Sequence, residues 1–253
     1  MEVKLVSFTG CPGTVVSSAA RLCYSSDTPD DIIQKMYDDE SSRVKLINKI
    51  ISMGHTSVLE HASFTFAISG ISRVLTHQLV RHRMASYSQR SQRYVDEVNA
   101  NFVVPPSIVA NEQAMERYKQ AILEVANCYK ELQELGIPNE DARYVLANSA
   151  HSCIFVTMNA RELMLFFKER LCTRAQWEIR TLAEQMASLA KQVTPEIFVG
   201  HVGPACIVNG RCTQGALSCK PNIKKAPGQV VELVQPKEEK EEEAINEEKD
   251  QSV

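Results

Sequence analysis

The sequence predicts an α/β fold of the α+β type, a single mixed domain with a central antiparallel sheet flanked by long helices. Three observations lead to this fold class. Helical segments outnumber strand-like ones, the strand-like segments are short and far apart in the chain, and no internal repeat is evident. At 253 residues, with 44% hydrophobic and 23% charged residues, the chain is long enough to bury a substantial core.

Three segments are predicted strands, because they alternate in character or are rich in β-branched and aromatic residues. They cover residues 3–8, 64–68 and 154–157. Residues 86–94 are expected to form a loop or extended chain, since their short polar residues show no helical spacing.

Eight segments have the spacing of helices. They cover residues 14–24, 30–36, 43–53, 72–83, 111–135, 138–147, 160–170 and 175–192. Gly54 and Gly136 follow two of these segments as C-terminal stops, and Pro138 stands where the next helix would begin.

The composition divides the chain into three parts. We predict a folded domain over residues 1–200, a Cys- and Gly-containing extension over 201–226 and an acidic tail over 227–253. Nine acidic residues and three lysines lie in residues 232–253, a composition typical of disorder.

No apolar run approaches the ~20 residues of a membrane span, and the first ten residues do not resemble a signal peptide. A cytoplasmic protein is therefore expected.

The eight cysteines are compatible with reduced thiols in a cytosolic protein. Five stand singly among apolar neighbours and are expected to be small buried residues: Cys11, Cys23, Cys128, Cys153 and Cys172. Cys206, Cys212 and Cys219 lie in the glycine-containing extension, after His201. A zinc site, a redox or packing role and a plain surface loop stay open for them; without a Cys-x-x-Cys pair, no metal is predicted.

The segment over residues 76–94 carries the strongest functional signal. It contains Arg81, Arg83, Arg90 and Arg93, while residues 61–95 contain no Asp, Glu or Lys. A guanidinium grips phosphate or carboxylate bidentately, and the interleaved hydroxyls and amides add further donors. A basic helix face and an Arg/Ser arm that binds nucleic acid are the alternatives. The mildly acidic chain argues against the second, because nucleic-acid-binding domains usually carry net positive charge. A small anionic ligand is favoured.

A second polar segment, over residues 55–61, follows a helix stop and precedes a predicted strand. It contains His55, Glu60 and His61, which could be a polar turn or part of a metal site. The spacing is a weak metal signal, since no further ligand lies nearby in sequence.

The arginine segment also spells a known signature. Arg81-His82-Arg83, Ser86, Ser91 and Arg93 fit RHRxxSxxxxSxR without a gap, and the chain therefore resembles the flavin-dependent thymidylate synthases. The likeness extends to residues 141–146, 159–161 and 175–180, and it covers roughly residues 3–199.

The resemblance implies a reaction and an assembly. In the family, dUMP receives a one-carbon unit from 5,10-methylenetetrahydrofolate, reduced FAD delivers the hydride that completes the methyl group, and NADPH reloads the flavin. Family members are homotetramers whose sites lie between subunits, and no membrane or nucleic acid is implied as a partner. A flavoprotein that methylates uracil within RNA remains an alternative.

The resemblance also assigns residues. Arg170 matches the arginine beside uracil N3 and is the predicted catalytic group. The residues that match dUMP-binding positions are Gln78, Arg81, Gln89, Ser91, Gln92, Arg93, Arg143 and Arg170. Those that match FAD-binding positions are His55, Ser57, Arg81, His82, Arg83, Gln89, Asn159 and Arg161.

Two departures from the family are visible. Gln89 stands where many members have Glu, and Leu165 stands where a polar residue usually meets the flavin. Cys172 lies close to Arg170, but the family does without a covalent cysteine, and we do not assign Cys172 a nucleophilic role.

Overall fold

A computed structural model describes residues 1–219 and shows a four-stranded antiparallel sheet. The strands are β1 (Glu2–Phe8), β2 (Ser63–Ser72), β3 (Ala85–Gln89) and β4 (His151–Asn159), in the order β1-β2-β4-β3. The predicted central antiparallel sheet is confirmed, with β2 and β4 longer than expected. The first part of the segment expected as loop or extended chain is β3, an edge strand.

Helices account for most of the remaining regular structure. They are α1 (Pro12–Leu22), α2 (Pro29–Asp38), α3 (Glu40–Ser52), α4 (Arg73–Leu79), α5 (Pro106–Val109), α6 (Glu112–Glu134), α7 (Asn139–Ala142), α8 (Ala160–Arg170), α9 (Trp177–Val193), α10 (Pro195–Phe198) and α11 (Ala205–Val208). Short 3₁₀ helices cover Thr56–His61, Arg143–Val145 and Gly215–Leu217. The helix predicted over 160–170 has the expected limits. That over 72–83 ends at Leu79, and that over 138–147 is one α turn followed by a 3₁₀ turn.

The alternation in β2 explains where the core lies. Phe64, Phe66 and Ile68 are buried on one face of the sheet, opposite Met158, Val156 and Ile154 of β4. On the other face Thr65 and Thr157 share a hydroxyl hydrogen bond of 2.9 Å. Because successive side chains of a strand point to opposite faces, the sheet has one largely apolar face, on which α8 and α9 pack.

Aromatic rings join the helices to this face. The Phe198 ring meets those of Phe64 and Phe167 edge-on, with centroids 5.4 Å and 6.1 Å away. Ile179, Leu182 and Met186 of α9 complete the buried layer. Edge-on ring pairs stabilise a core beyond the area that they bury.

Helix α4 is tied to its neighbours at both ends. At its start, the backbone N–H and the hydroxyl of Ser72 both donate to the buried Glu178 carboxylate of α9, and the hydroxyl accepts from Leu75 N. At its end, the Tyr87 hydroxyl of β3 lies 2.8 Å from the backbone oxygens of both Leu79 and His82. These contacts fix the turn that carries the arginine signature.

The expected burial of five single cysteines is wrong. Cys11, Cys23 and Cys128 are exposed, and Cys153 and Cys172 are half-buried. Cys11 and Cys23 flank α1 as its caps, while Cys128 lies on α6, which buries only Tyr129. Apolar sequence neighbours do not ensure burial where a helix end or an outer helix face meets solvent.

No helix within residues 1–219 is both long and apolar enough to cross a membrane. The predicted boundary at residue 200 stays a prediction. The predicted tail over 227–253, and the last residues of the extension, lie outside the described residues.

Candidate active site

The predicted site residues lie in α4 and the turn after it, in β3 and the segment that follows it, at both ends of α8, and in or beside the 3₁₀ helices Thr56–His61 and Arg143–Val145. We distinguish three sets of side chains. The first, the Arg170 group, consists of Arg170, His82 and Glu162. The second, the Arg93 group, consists of Arg93, Arg143 and Glu140. The third lines a cavity beside the start of α8.

The Arg170 group joins the signature turn to α8. Arg170 Nε donates a hydrogen bond of 3.1 Å to His82 Nε2, and it is the one hydrogen bond that the Arg170 side chain makes within residues 1–219. His82 Nδ1 lies 3.3 Å from Glu162 Oε1, and both side chains are buried. The His82 ring meets Phe166 edge-on at 5.0 Å. The predicted catalytic arginine and the signature histidine are therefore in direct contact.

Burial sets the charge state of this group. Desolvation lowers the pKa of His82, the Arg170 charge lowers it further, and Glu169 opposes the change. Desolvation raises the pKa of the Glu162 carboxyl, and Glu169 adds to the rise. His82 is consequently a neutral imidazole near pH 7, as the hydrogen bond also requires, because Nε2 must offer a lone pair to Arg170.

The Arg93 group lies near the other end of α4. Arg93 pairs with the Glu140 carboxylate through Nε at 2.9 Å and a terminal nitrogen at 2.8 Å. Arg143 Nε donates to the Glu140 backbone oxygen at 3.0 Å, and the Ser91 hydroxyl accepts from the Arg93 backbone N–H. Three residues predicted to hold dUMP, Ser91, Arg93 and Arg143, are thus brought together.

Arg73 connects the Arg93 group to α4. It donates to the side-chain oxygen of Gln92 at 2.8 Å, and burial together with the nearby Arg143 charge lowers its pKa. Glu97 is buried close by, and desolvation raises its pKa.

The Arg93 group and the Arg170 group lie at opposite ends of α4. Arg73 begins α4 and His82 follows its end. The two groups are therefore separated by the length of this seven-residue helix, about 10 Å at 1.5 Å per residue.

Gln89 has a local role that the sequence could not specify. Its amide nitrogen donates to the hydroxyls of Thr76, at 3.1 Å, and Ser152, at 3.0 Å. A carboxylate at this position would accept from both hydroxyls, and hydroxyls can take either role. The Gln89 amide therefore bonds to the same two hydroxyls, but as the donor and not as the acceptor. Gln78 is half-buried, and its amide lies 3.5 Å from the Val74 backbone oxygen.

A cavity of about 640 Å³ lies beside the start of α8. Asn159 and Arg161 line it, as expected for a flavin site, and Arg161 is paired with Glu60. Its other lining residues are Ile51, Gly54, Thr56, Leu59, Glu60, Met84, Glu162, Met164, Leu165, Lys168, His201, Val208 and Asn209. His55 and Ser57 are exposed and flank Thr56 without lining the cavity. Leu165, the departure from the family, is an apolar part of the wall.

The side chains present fit a flavin dinucleotide. The cavity combines an apolar wall with the cations Arg161 and Lys168, as a flat ring system linked to a pyrophosphate requires. Arg81 and Arg83 are exposed beside Met84, and within residues 1–219 neither has a carboxylate partner. Unpaired guanidinium groups next to a cavity suit a phosphate-bearing ligand.

Within the described part of the chain, no three His, Cys, Asp or Glu side chains converge as a metal site. Cys172, Cys206 and Cys212 line a separate cavity of about 380 Å³. Burial raises the pKa of the Cys206 thiol, whereas hydrogen bonds from Ser218 and the Gln214 N–H lower that of Cys212. The alternatives stated for these cysteines stay open.

Sequence reasoning did not select Glu162, Arg73 or Glu140. Glu162 stands three residues after Asn159, whose side chain accepts its backbone N–H and caps α8. That spacing is typical of a helix start and could have drawn attention to the residue. Its contact with His82, 80 positions earlier in the chain, follows only from the fold.

Comparisons with known proteins agree on one family. A family model described as "Thymidylate synthase complementing protein" matches residues 4–196. A flavin-dependent thymidylate synthase of Geobacter sulfurreducens is 49% identical over 221 residues, covering 87% of this chain and 94% of the relative. One of Clostridium tetani is 45% identical over 237 residues, covering 87% and 93%. A crystal structure of a UMP/dUMP methylase, PolB from Streptomyces cacaoi bound with 5-Br dUMP, has a TM-score of 0.68 at 26% identity and covers 78% and 92%.

Proposed function

Because the chain belongs to the flavin-dependent thymidylate synthases, we propose that it converts dUMP to dTMP with 5,10-methylenetetrahydrofolate as carbon donor and NADPH as reductant. The protein is a methyltransferase, and FAD is its cofactor. The observation that carries the residue assignment is the contact between Arg170 and His82, which joins the predicted catalytic arginine to the signature segment.

Arg170 acts on the uracil ring in this proposal. Carbon 5 of uracil is a poor nucleophile, and the ring becomes electron-rich when N3 loses its proton to water. A guanidinium beside N3 and its flanking carbonyl stabilises the negative charge that develops there. Since His82 holds Nε of Arg170, the two terminal nitrogens are available to the ring.

The Arg93 group takes the phosphate of dUMP. Arg93 and Arg143 converge on Glu140, but only Arg93 uses its carboxylate, so the pair retains positive charge for a phosphate. Exposed arginines exchange such partners readily, because a surface ion pair is worth little. Ser91 adds a hydroxyl, and Gln78, Arg81, Gln89 and Gln92 complete the set proposed to hold the nucleotide.

The cavity beside α8 and the signature turn hold the flavin. Bound there, FAD supplies the hydride that completes the methyl group. Asn159 and Arg161 line the cavity, and its apolar side chains provide a surface for the flavin ring. Arg81, His82 and Arg83, which precede the lining residue Met84, are proposed to contact the cofactor. His55, Ser57 and Gln89 are proposed to contact the same cofactor.

We further propose that the chain forms a homotetramer with sites between subunits. Helix α6 supports an assembly, because its 23 residues bury only Tyr129 in the single chain and leave Leu123 largely exposed. Met84, which lines the flavin cavity, is also largely exposed, and a neighbouring subunit would cover it.

Release of tritium from carbon 5 of labelled uracil tests the substrate. We expect release from dUMP when methylenetetrahydrofolate is present, and a yellow protein that NADPH bleaches. The similar solved methylase is named for UMP as well as dUMP, so UMP is a second candidate substrate. Release from a uracil-containing RNA but from neither nucleotide would contradict the proposal, as would a protein that purifies without flavin.

A further inference from the structure

Glu162 is a buried acid for which the proposed function provides no task. Its side chain is 7% exposed, and it sits in the first turn of α8 beside the flavin cavity. A buried carboxyl group is costly unless a partner meets it. The ion-pairing group nearest to it in the described chain is His82, whose Nδ1 lies 3.3 Å from Oε1.

The contacts of His82 fix where its proton resides. Arg170 Nε is always a donor, so the His82 nitrogen that it meets, Nε2, must be an unprotonated acceptor. The proton of a neutral ring is then on Nδ1, which faces Glu162. Whether Glu162 is ionised or not, one of its oxygens can accept that proton, and the hydrogen bond at one ring nitrogen selects the state of the other.

We propose that Glu162 is a positioning residue, which holds His82 in the Nδ1-protonated tautomer and thereby directs the Arg170 guanidinium toward the uracil ring. The inference deepens the proposed function and rests on it for the role of Arg170. Without Glu162, a proton on Nε2 would point at the Arg170 donor, and the hydrogen bond between the two side chains would be lost.

Other groups around His82 do not provide this control. Glu169 Oε2 is 3.8 Å from Nε2, on the same side as Arg170, and its side chain is 51% exposed. The Tyr87 hydroxyl reaches the backbone oxygen of His82 and not the ring. Glu169 is thus a carboxylate of the same type on the same helix, and Glu169→Gln is a matched control for changes at Glu162.

The direct test is the tautomer of His82 in the purified holoprotein. Nitrogen NMR of ¹⁵N-histidine-labelled protein, assigned with His82→Gln, should show Nδ1 protonated and Nε2 unprotonated in the wild type and in Glu169→Gln. Glu162→Ala should show a mixture or the reverse tautomer. Glu162→Gln should fall between them, since the amide oxygen can still accept from Nδ1.

Kinetics provide the second readout. The hydrogen bond between His82 and the charged Arg170 is lost in Glu162→Ala. A hydrogen bond to a charged group that stabilises the transition state is worth about tenfold to a hundredfold in rate, and kcat of Glu162→Ala should fall by that factor. The Kd of dUMP, measured by calorimetry, should change much less. Thermal melting identifies variants that fail to fold, and Glu162→Gln then serves in place of Glu162→Ala.

The outcomes separate the inference from the proposed function. A wild-type His82 protonated on Nε2, or a Glu162→Ala kcat no lower than that of Glu169→Gln, would overturn the positioning role. If the tautomer depends on Glu162 as stated but no dUMP is methylated, the geometry stands and the assigned reaction fails.

Discussion

Arg170 differs from the other arginines of the site in how it is held. Its Nε is bound by a buried neutral imidazole, whereas Arg93 and Arg161 are paired with the carboxylates of Glu140 and Glu60. A guanidinium that is not neutralised by an acid and has one edge fixed is preorganised to stabilise an anion. This distinction at a single residue supports the assignment of Arg170 to the ring and of Arg93 to the phosphate.

Arg170→Ala should retain FAD and lose turnover. The charge beside N3 disappears while the flavin cavity, which Arg170 does not line, keeps its residues. Removal of one such preorganised group lowers kcat by about a hundredfold to a thousandfold. Flavin absorbance and tritium release measure the two effects, and Arg174→Ala, an exposed arginine four residues later, is the control. Wild-type turnover in Arg170→Ala would remove the assignment.

Two thiols of the extension should differ in reactivity. Hydrogen bonds lower the pKa of Cys212, so a larger fraction is thiolate near pH 7, while burial raises the pKa of Cys206 and keeps it a thiol. Iodoacetamide should therefore alkylate Cys212 faster than Cys206, as mass spectrometry of timed samples would measure. Equal rates, or a faster Cys206, would show that these hydrogen bonds do not persist in solution.

At the level of elements, the sequence predicted whether a segment is a helix or a strand better than it predicted the first and last residues of that segment. Periodicity identified β2, β4, α8 and α9, because each buries one face of a regular pattern. It also identified α6, whose apolar stripe buries only Tyr129 in the single chain. The end of α4 was not predicted correctly. The Tyr87 hydroxyl donates to the backbone oxygens of Leu79 and His82, and such a contact from the following strand cannot be recognised in the sequence of the helix itself. Strand β3 was predicted only as loop or extended chain, because an edge strand with half-buried polar residues lacks an apolar alternation.

Glu178→Ala should destabilise the fold through α4. The substitution leaves the Ser72 N–H and hydroxyl buried without their acceptor, and each lost partner costs about 1–3 kcal/mol. We expect a loss of about 2–4 kcal/mol in the free energy of unfolding, measured with denaturant. The control is Glu184→Ala on the same helix. That residue has an exposed ion pair with Arg180, and its removal should cost no more than about 0.5 kcal/mol. Similar losses in both variants would contradict a specific role of Glu178.

At the scale of the whole molecule, the signature identified the family, because its residues lie within thirteen positions of the sequence. The wider resemblance supplied the predicted site residues that lie outside the signature. What the sequence could not provide is the grouping of these residues. Arg93 lies with Arg143 near the start of α4, whereas His82 lies with Arg170 and Glu162 after its end. The helix between them separates the two groups, so a nucleotide either spans both ends of α4 in one chain or takes one group from each of two chains.

A subunit-mixing experiment distinguishes these arrangements. Arg93→Ala and Arg170→Ala should each be inactive alone, because one lacks a phosphate ligand and the other the charge beside the ring. Because the proposed sites lie between subunits, we expect a site to take Arg93 from one chain and Arg170 from another. Random mixed oligomers in equal amounts then contain intact pairs at about a quarter of their sites. Coexpression should then restore about a quarter of the wild-type kcat, in a particle of four 28.3 kDa chains by light scattering. Two differently tagged copies of Arg170→Ala are the control and should stay inactive. Mixed tetramers without recovered activity would mean that each chain supplies both groups to its own site.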